Sequence, residues 1–64
     1  MMRQWVLNHD MRFRCGCSSL GLSTGALVQV VQVDKSTSKV LIKFSDRDID
    51  WYPESILKNF QQIA

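Results

Sequence analysis

The sequence has no long apolar run. None of its apolar segments approaches the roughly 18 residues that a membrane-spanning helix needs. The first residues, MMRQWVLNHDMRF, lack the apolar stretch of about 7–15 residues that marks a secretory signal. Two cysteines fit a compartment in which thiols stay reduced. These absences predict a cytoplasmic protein that makes no membrane contact.

Residues that bind metals or do chemistry are also scarce. Cys15 and Cys17 are separated by one residue, whereas zinc sites commonly place two to four residues between paired cysteines. The single histidine, His9, has no evident nucleophile partner and lies in a predicted turn. The three aspartates between positions 46 and 50 lack the central glycine and distal glutamate of a calcium loop. We therefore predict no metal, no cofactor and no catalytic residue, and leave the role of the two cysteines open.

The net charge of +2 is small and unevenly distributed. Residues 1–25 carry three arginines against one aspartate, whereas residues 26–64 carry five basic and five acidic side chains. Arg12 and Arg14, with Arg3 nearby across a predicted hairpin, would form one basic face. An arginine fork can bind phosphate, but single-stranded nucleic acid usually also stacks its bases on aromatic rings. A solvated face and a nucleic-acid contact both remain open.

Alternating apolar residues in the second half of the chain indicate strands. Residues 26–33, ALVQVVQV, have a β-branched composition whose alternation slips near Val30, which predicts a β-bulge there. After a polar hairpin loop at residues 34–38, the side chains of Val40, Ile42 and Phe44 share one face. A second turn follows at residues 46–48. The pattern predicts two long strands joined by a hairpin.

The next strand, residues 49–52, alternates Ile49 and Trp51 against Asp50 and Tyr52. We expect Trp51, like Phe44, to lie in the core and Tyr52 to point outward. Pro53 ends this strand because it cannot donate a ladder hydrogen bond. One helical turn at residues 54–56 and a last short strand at residues 57–60 would follow, with a frayed tail.

The first 25 residues are less regular. Residues 3–7 and 11–15 flank the turn-forming sequence Asn-His-Asp, which predicts a hairpin, with a helical turn near the start as the alternative. Residues 15–25, CGCSSLGLSTG, combine three glycines with four Ser or Thr residues and predict a loop. Leu20 and Leu22 would fold back onto the core or line a contact surface. We expect one domain over residues 1–64, with an arm at 1–25 and a barrel core at 26–60.

This order of elements resembles that of SH3-like barrels. The similarity covers residues 40–60, and its most telling part is Trp51-Tyr52-Pro53 followed by Leu57. The resemblance implies an all-β fold: a small SH3-like barrel of about five strands with a one-turn helix before the last strand, and an N-terminal hairpin or arm. The fold hosts many unrelated functions.

Two subfamilies share parts of this stretch. Residues 40–46, VLIKFSD, are similar to the strand before the acidic turn of Tudor domains, which bind methylated lysine or arginine in an aromatic cage. Residues 49–53, IDWYP, resemble the pore-lining Val-Gln-Ile-Tyr-Pro segment of the plasmid-borne type II dihydrofolate reductases, which are tetramers. Tyr52 and Pro53 match that segment, whereas Asp50 and Trp51 replace its Gln and Ile. This second resemblance implies an oligomer and, as an alternative function, a reductase-like enzyme.

We therefore predict a small non-catalytic interaction module that binds protein or nucleic acid and associates with itself. Self-association is expected because a chain of this length buries only about 60% of the surface that its unfolded form exposes. The candidate binding residues form two groups: a groove with Trp51, Tyr52, Pro53, Asp46 and Asp48, and a basic face with Arg12 and Arg14.

Overall fold

The computed structural model describes residues 3–16 and 18–63. Within these ranges the protein is all-β, with seven strands and one short 3₁₀ helix before the last strand. The elements, in chain order, are β1 (Arg3–Leu7), β2 (Met11–Cys15), β3 (Ser18–Leu22), β4 (Leu27–Asp34), β5 (Lys39–Lys43), β6 (Ile49–Pro53), the 3₁₀ helix (Glu54–Asn59) and β7 (Phe60–Gln62). The predicted all-β class is confirmed.

Five strands form one antiparallel sheet in the order β6-β5-β4-β1-β7. The strand nearest the start of the chain, β1, lies inside this sheet between β4 and β7, with Trp5 opposite both Val28 and Gln62. β2 and β3 form a separate two-stranded ribbon. The sheet thus contains strands from both ends of the chain, with β1 inside it and β7 at one edge.

The core lies between the ribbon and the inner face of the five-stranded sheet. In β5, Val40 and Ile42 are fully buried at alternate positions, and Phe44 just after the strand packs against the same cluster. This alternation suits a strand, which points successive side chains to opposite faces of the sheet. The ring of Phe13 comes from the ribbon and lies 5.0 Å from that of Phe44, centroid to centroid. The buried cluster consists of Leu7, Phe13, Val28, Val30, Val40, Ile42, Tyr52 and Phe60.

The predicted bulge and hairpin loop are confirmed. Val28 and Val30 face the core, and the register between β4 and β5 shifts between Val30 and Gln32, which places Val33 opposite Val40 on the same side of the sheet. The loop after β4 is held by Asp34, whose Oδ1 accepts hydrogen bonds from the backbone N–H and the hydroxyl of Ser36. These bonds draw the pKa of Asp34 below its ordinary value, the Ser36 hydroxyl having the largest effect.

The predicted hairpin between residues 3–7 and 11–15 is wrong. β1 pairs with β4 and β7, and β2 pairs with β3. The chain leaves the sheet at Leu7, whose backbone exchanges hydrogen bonds with the strand-entry residues Gly25 and Ala26. Asn8 then donates its N–H to the Asn59 carbonyl. Long-range pairing therefore outcompetes the local turn that Asn-His-Asp suggests.

The loop predicted at residues 15–25 is also partly wrong, because β3 occupies Ser18–Leu22. Leu20 lies opposite Phe13, and Leu22 lies opposite Met11, so both leucines share the core side of the ribbon. Leu20 and Leu22 at alternate positions are typical of a strand, but the surrounding serines and glycines favoured the prediction of a loop. Cys17 lies outside the described residues, and the thiol of Cys15 is free and buried.

The direction predicted for β6 is reversed. Tyr52 is only 7% exposed, whereas Trp51 is 38% exposed. The tyrosine fits the interior because its hydroxyl donates a hydrogen bond to the Arg14 carbonyl, and its ring meets Phe13 and Phe44 edge-on. The alternation along the strand was right, but period-two patterning alone cannot decide which set of side chains is inside.

β6 ends at Pro53 as predicted, but the elements after it are displaced. The 3₁₀ helix runs over Glu54–Asn59, and Phe60 at the start of β7 is buried. Gln61 and Gln62 belong to β7 rather than to a frayed tail. Across the described residues, no helix is long and apolar enough to cross a bilayer. The resemblance to SH3-like barrels stays a prediction.

Candidate functional site

The outer face of the five-stranded sheet is the side opposite the core, and it carries apolar side chains. Trp51 on β6 lies directly opposite Leu41 on β5, and Ile49 lies opposite Lys43. Trp51 and Ile49 are 38% and 44% exposed, and Leu41 is half-buried. Further along the same face, exposed Leu27 lies opposite Val6. Apolar side chains that cluster at the surface mark contact sites more often than isolated ones do.

Charges of both signs surround this apolar cluster. Lys39 and Lys43 flank Leu41 on β5, and Lys39 lies opposite Asp34. The Lys43 Nζ lies 3.7 Å from Oδ1 of the fully exposed Asp46. A solvated pair at this separation adds little to folding stability, so both charges remain available to a partner.

A cleft of about 280 Å³ opens where this face meets the turn after β5. Its polar lining includes Gln4, Gln29 and Lys43, which lie side by side on three neighbouring strands. The turn itself is organised by Ser45, whose hydroxyl bonds to Oδ2 of Asp48 at 3.1 Å and accepts from the N–H groups of Arg47 and Asp48. Of the two predicted turn carboxylates, only Asp46 faces the cleft.

The free edge of β6 is protected against pairing with another strand. Oδ1 of Asp50 accepts the Trp51 N–H at 2.7 Å, and Oδ2 accepts the Gly16 N–H at 3.0 Å. The Gly16 bond, followed by the Trp51 bond, holds the pKa of Asp50 below its ordinary value. Pro53 has no N–H to offer at the same edge. Both features are devices that blunt edge strands, so pairing with another strand is disfavoured at the β6 edge.

Tyr52, predicted to line a groove, is buried beneath this face. Desolvation by burial, with a smaller contribution from nearby Cys15, raises the pKa of Tyr52 to about 12. Burial also raises the pKa of the Cys15 thiol, which favours its neutral, unreactive form. Pro53 is exposed and lies opposite Lys39 beside the apolar cluster. The predicted groove is thus divided, with Trp51 and Pro53 outside and Tyr52 inside.

The second exposed surface is the outer face of the β2–β3 ribbon, formed by Arg12, Arg14, Ser19 and Gly21. Arg12 lies opposite Gly21, and Arg14 lies opposite Ser19. All four residues are exposed. Arg3, expected beside these arginines, instead lies in the five-stranded sheet opposite Val30. The basic face therefore holds two of the three predicted arginines.

Two shallow clefts flank this ribbon face. One, of about 380 Å³, is lined by Asp10, Arg12 and Gly21 together with Met11, Leu22 and Ser23. The other, of about 250 Å³, is lined by Arg14, Gly16, Ser18 and Ser19. The opposing residues are too small to cover either guanidinium, so both arginines project over open surface.

The other candidates for metal binding are His9 and the cysteine and acidic side chains. His9 is exposed, and its Nε2 lies 2.9 Å from Oδ1 of Asn59 in a hydrogen bond. Within residues 3–16 and 18–63, no three His, Cys, Asp or Glu side chains are placed to hold a metal ion. The two exposed faces are therefore the candidate functional sites.

Sequence reasoning missed several residues of these faces: Leu41, Ile49, Lys39, Lys43 and Gly21. Leu41 interrupts the alternation of apolar and polar residues in β5, and an apolar residue on the solvent side of a strand is itself a signal of a contact surface.

Comparison of the chain with protein-family models, characterised proteins and solved structures finds no match in any of the three.

Proposed function

We propose that the protein is a small non-catalytic interaction module that binds a second copy of itself through the outer face of the five-stranded sheet. The observation that carries this proposal is the exposure of Trp51 beside Leu41 and Ile49 on a solvent-facing sheet surface. Nothing in the core requires these side chains to be apolar. Exposure of their apolar surface to water is unfavourable, and a partner that covers these side chains removes that surface from water.

The composition of this surface suits a protein partner. Protein interfaces are enriched in tryptophan and other large apolar side chains at their centre and have a polar rim. Trp51 and Leu41 supply such a centre, and the glutamines and lysines of β4 and β5 supply the rim. Truncation of a buried interface tryptophan is among the costliest single changes at interfaces, often about 2 kcal/mol or more.

The charge pattern favours a second copy as that partner. In a two-fold symmetric interface the same surface meets itself, so the surface must be self-complementary. Lys39 and Lys43 lie on the same face as Asp34 and Asp46, and a lysine of one copy can therefore face an aspartate of the other. A patch of one sign would instead repel itself. The small size of the chain adds a reason, because oligomerisation is a usual source of stability in domains of this length.

The protected edge of β6 determines how the copies would meet. Because Asp50 binds the Trp51 N–H and Pro53 lacks one, β6 offers few free donors to a strand of another molecule. Pairing of β6 with a strand of a second copy is thereby disfavoured. The proposed contact is packing between the two sheet faces.

Sedimentation over a concentration series tests this proposal. We expect the wild-type chain to dimerise and Trp51→Lys to weaken dimerisation at least tenfold, because a buried unpaired charge replaces an apolar anchor. Val33→Lys is the matched control: Val33 is 46% exposed but lies opposite Val40, on the other side of the sheet. A monomeric wild-type chain, or equal effects of the two substitutions, would contradict the proposal.

No specific observation favours the reductase-like alternative. Tyr52, one of the two residues that match the reductase segment, is buried, and its hydroxyl donates a hydrogen bond to the backbone carbonyl of Arg14. The Asp50 carboxylate is already bonded to two backbone N–H groups. The alternative therefore remains a resemblance of residues 49–53 alone.

A further inference from the structure

We infer that the outer face of the β2–β3 ribbon binds the phosphate groups of a nucleic-acid backbone. This face, formed by Arg12, Arg14, Ser19 and Gly21, is separate from the outer face of the five-stranded sheet, and the inference does not depend on self-association. Three observations carry it: the spacing of the arginines, the commitment of the nearby carboxylates, and a glycine that the fold itself does not explain.

Arg12 and Arg14 are placed as two phosphate ligands in a line. They occupy alternate positions of an extended strand, which sets their Cα atoms about 6.8 Å apart on the same side. Both are exposed, and neither makes an ion pair or side-chain hydrogen bond within the part of the chain that the structure describes. A guanidinium presents five donors in a fork that matches phosphate oxygens. The donors of both arginines are thus free for an external anion.

The carboxylates near the ribbon are already engaged elsewhere. Oδ1 of Asp10 accepts the backbone N–H of Thr24 at 2.8 Å and its hydroxyl at 3.1 Å. Asp50 binds the N–H groups of Gly16 and Trp51. Because these oxygens accept backbone and hydroxyl donors, neither acid forms an ion pair with Arg12 or Arg14 among the described residues, although Asp10 keeps its negative charge beside Arg12 in the larger cleft.

Gly21 has no conformational or packing reason to be glycine. Its φ angle does not lie in the left-handed region, and a Cβ atom added there would meet nothing within 4 Å. Glycine inside a strand weakens that strand, and its presence often marks a place where a ligand or another backbone approaches closely. Gly21 lies directly opposite Arg12 and lines the larger cleft. A backbone that binds Arg12 would therefore pass over Gly21.

The chemistry of the face favours nucleic acid over an anionic membrane. Surfaces that bind membranes combine basic residues with apolar side chains that enter the lipid. The ribbon's apolar residues, including Phe13 and Leu20, instead share the core side of the ribbon. Two arginines in line on an extended strand suit a repeating linear polyanion.

The direct test is fluorescence anisotropy with labelled mixed-sequence RNA and DNA, single-stranded and duplex, over a salt series. Two phosphate contacts predict that log K falls against log[salt] with a slope of roughly −1.8 for duplex and roughly −1.4 for single strands. Arg12→Gln with Arg14→Gln should remove most of this slope. Lys35→Gln with Arg47→Gln removes the same charge from exposed loops and should leave most of the slope in place.

Gly21→Val separates binding from folding. Because there is open space at this position, the variant should melt at or above the wild-type temperature, yet bind nucleic acid several-fold more weakly. Trp51→Lys should not weaken nucleic-acid binding, which distinguishes this inference from the proposed self-association. The inference is overturned if no nucleic acid binds at low salt, if both double variants lose binding equally, if Gly21→Val binds like wild type, or if only anionic lipid vesicles bind.

Discussion

The two exposed faces cover the same core but differ in chemistry. The outer face of the five-stranded sheet places Trp51, Leu41 and Ile49 among charges of both signs. The outer face of the ribbon carries two arginines opposite Gly21 and Ser19. The first surface can match a copy of itself, whereas the second would repel one and attract a polyanion. The difference shows that one small core can support two surfaces of different chemistry.

The two faces are connected through a few inward-pointing residues. Phe13 leaves the ribbon and lies 5.8 Å from Phe60 and 6.1 Å from Tyr52, measured between ring centroids. In the other direction, the hydroxyl of Tyr52 on the sheet donates a hydrogen bond to the Arg14 carbonyl on the ribbon. Asp50 joins the end of β2 to the edge of β6 through Gly16. Changes at these three positions test whether the faces are one folding unit.

The largest effect is expected for Phe13→Ala. Removal of this ring should lower the free energy of unfolding by about 3–5 kcal/mol, because a buried aromatic is replaced by a cavity. In so small a domain that loss should abolish folding of the sheet as well as the ribbon. Urea denaturation followed by circular dichroism measures it, with Arg12→Ala as the control on the exposed side of the same strand. A sheet that stays folded without Phe13 would show that the ribbon is an independent arm.

The second half of the sheet could be predicted from the sequence because its local signals agree with its tertiary pairing. In β4 and β5 the alternation of Val28, Val30, Val40 and Ile42 coincides with burial, and the slip in that pattern marked the bulge. The strands that pair with β1 could not be predicted. These strands, β4 and β7, lie about 25 and 56 residues away along the chain, so no turn motif in the local sequence indicates the pairing.

The candidate site was harder to predict than the fold. Trp51 and Tyr52 are adjacent aromatics on a strand, so either could have been inside with the same alternation. The deciding contact is the Arg14 carbonyl, which is an acceptor for a phenol and comes from a strand 38 residues earlier. The sequence carries no sign of that contact, and Trp51 was therefore predicted inside and Tyr52 outside. The exposed side of β2 needed only the short-range alternation of Arg12 and Arg14, whereas Arg3, predicted beside them, lies in the five-stranded sheet.

A smaller effect should come from ionisation of Tyr52. Its pKa is raised from 10.0 to about 12, mainly by desolvation, so the folded state binds this proton more tightly than the unfolded state does. The corresponding stability is therefore complete below pH 10 and is lost as the pH rises from 10 towards 12, by about 2–3 kcal/mol in total. Tyr52 is the sole tyrosine, so ultraviolet absorbance of tyrosinate reports this residue alone.

The matched measurements use urea-unfolded protein and Tyr52→Phe. Unfolded chain should titrate near pH 10, and the phenylalanine variant should lose this component of the pH dependence while losing about 1 kcal/mol at neutral pH with its hydrogen bond. A folded-state titration near pH 10 would mean that the phenol is in contact with water. The ribbon and sheet would then not be closed over one another at this position.

The smallest of these effects is expected for Asp50→Ala, which removes the acceptor that joins the ribbon to the sheet edge. Loss of the Gly16 and Trp51 hydrogen bonds should lower the free energy of unfolding by roughly 1–2 kcal/mol at neutral pH, as measured by urea denaturation. Because the pKa of Asp50 is lowered in the folded state, its stabilisation is present above about pH 4 and disappears as the pH falls through the folded-state pKa. The difference between wild type and variant should therefore narrow in acid. Asp46→Ala is the control for stability alone, since Asp46 is fully exposed and among the described residues forms an ion pair with Lys43 at 3.7 Å.

Asp50→Ala also frees the Trp51 N–H at the edge of β6, so this variant should form larger assemblies than the wild-type chain does. If Asp50→Ala does not form larger assemblies, Pro53 alone is enough to protect the edge of β6. A face-to-face contact would then be favoured by Pro53 and not by Asp50.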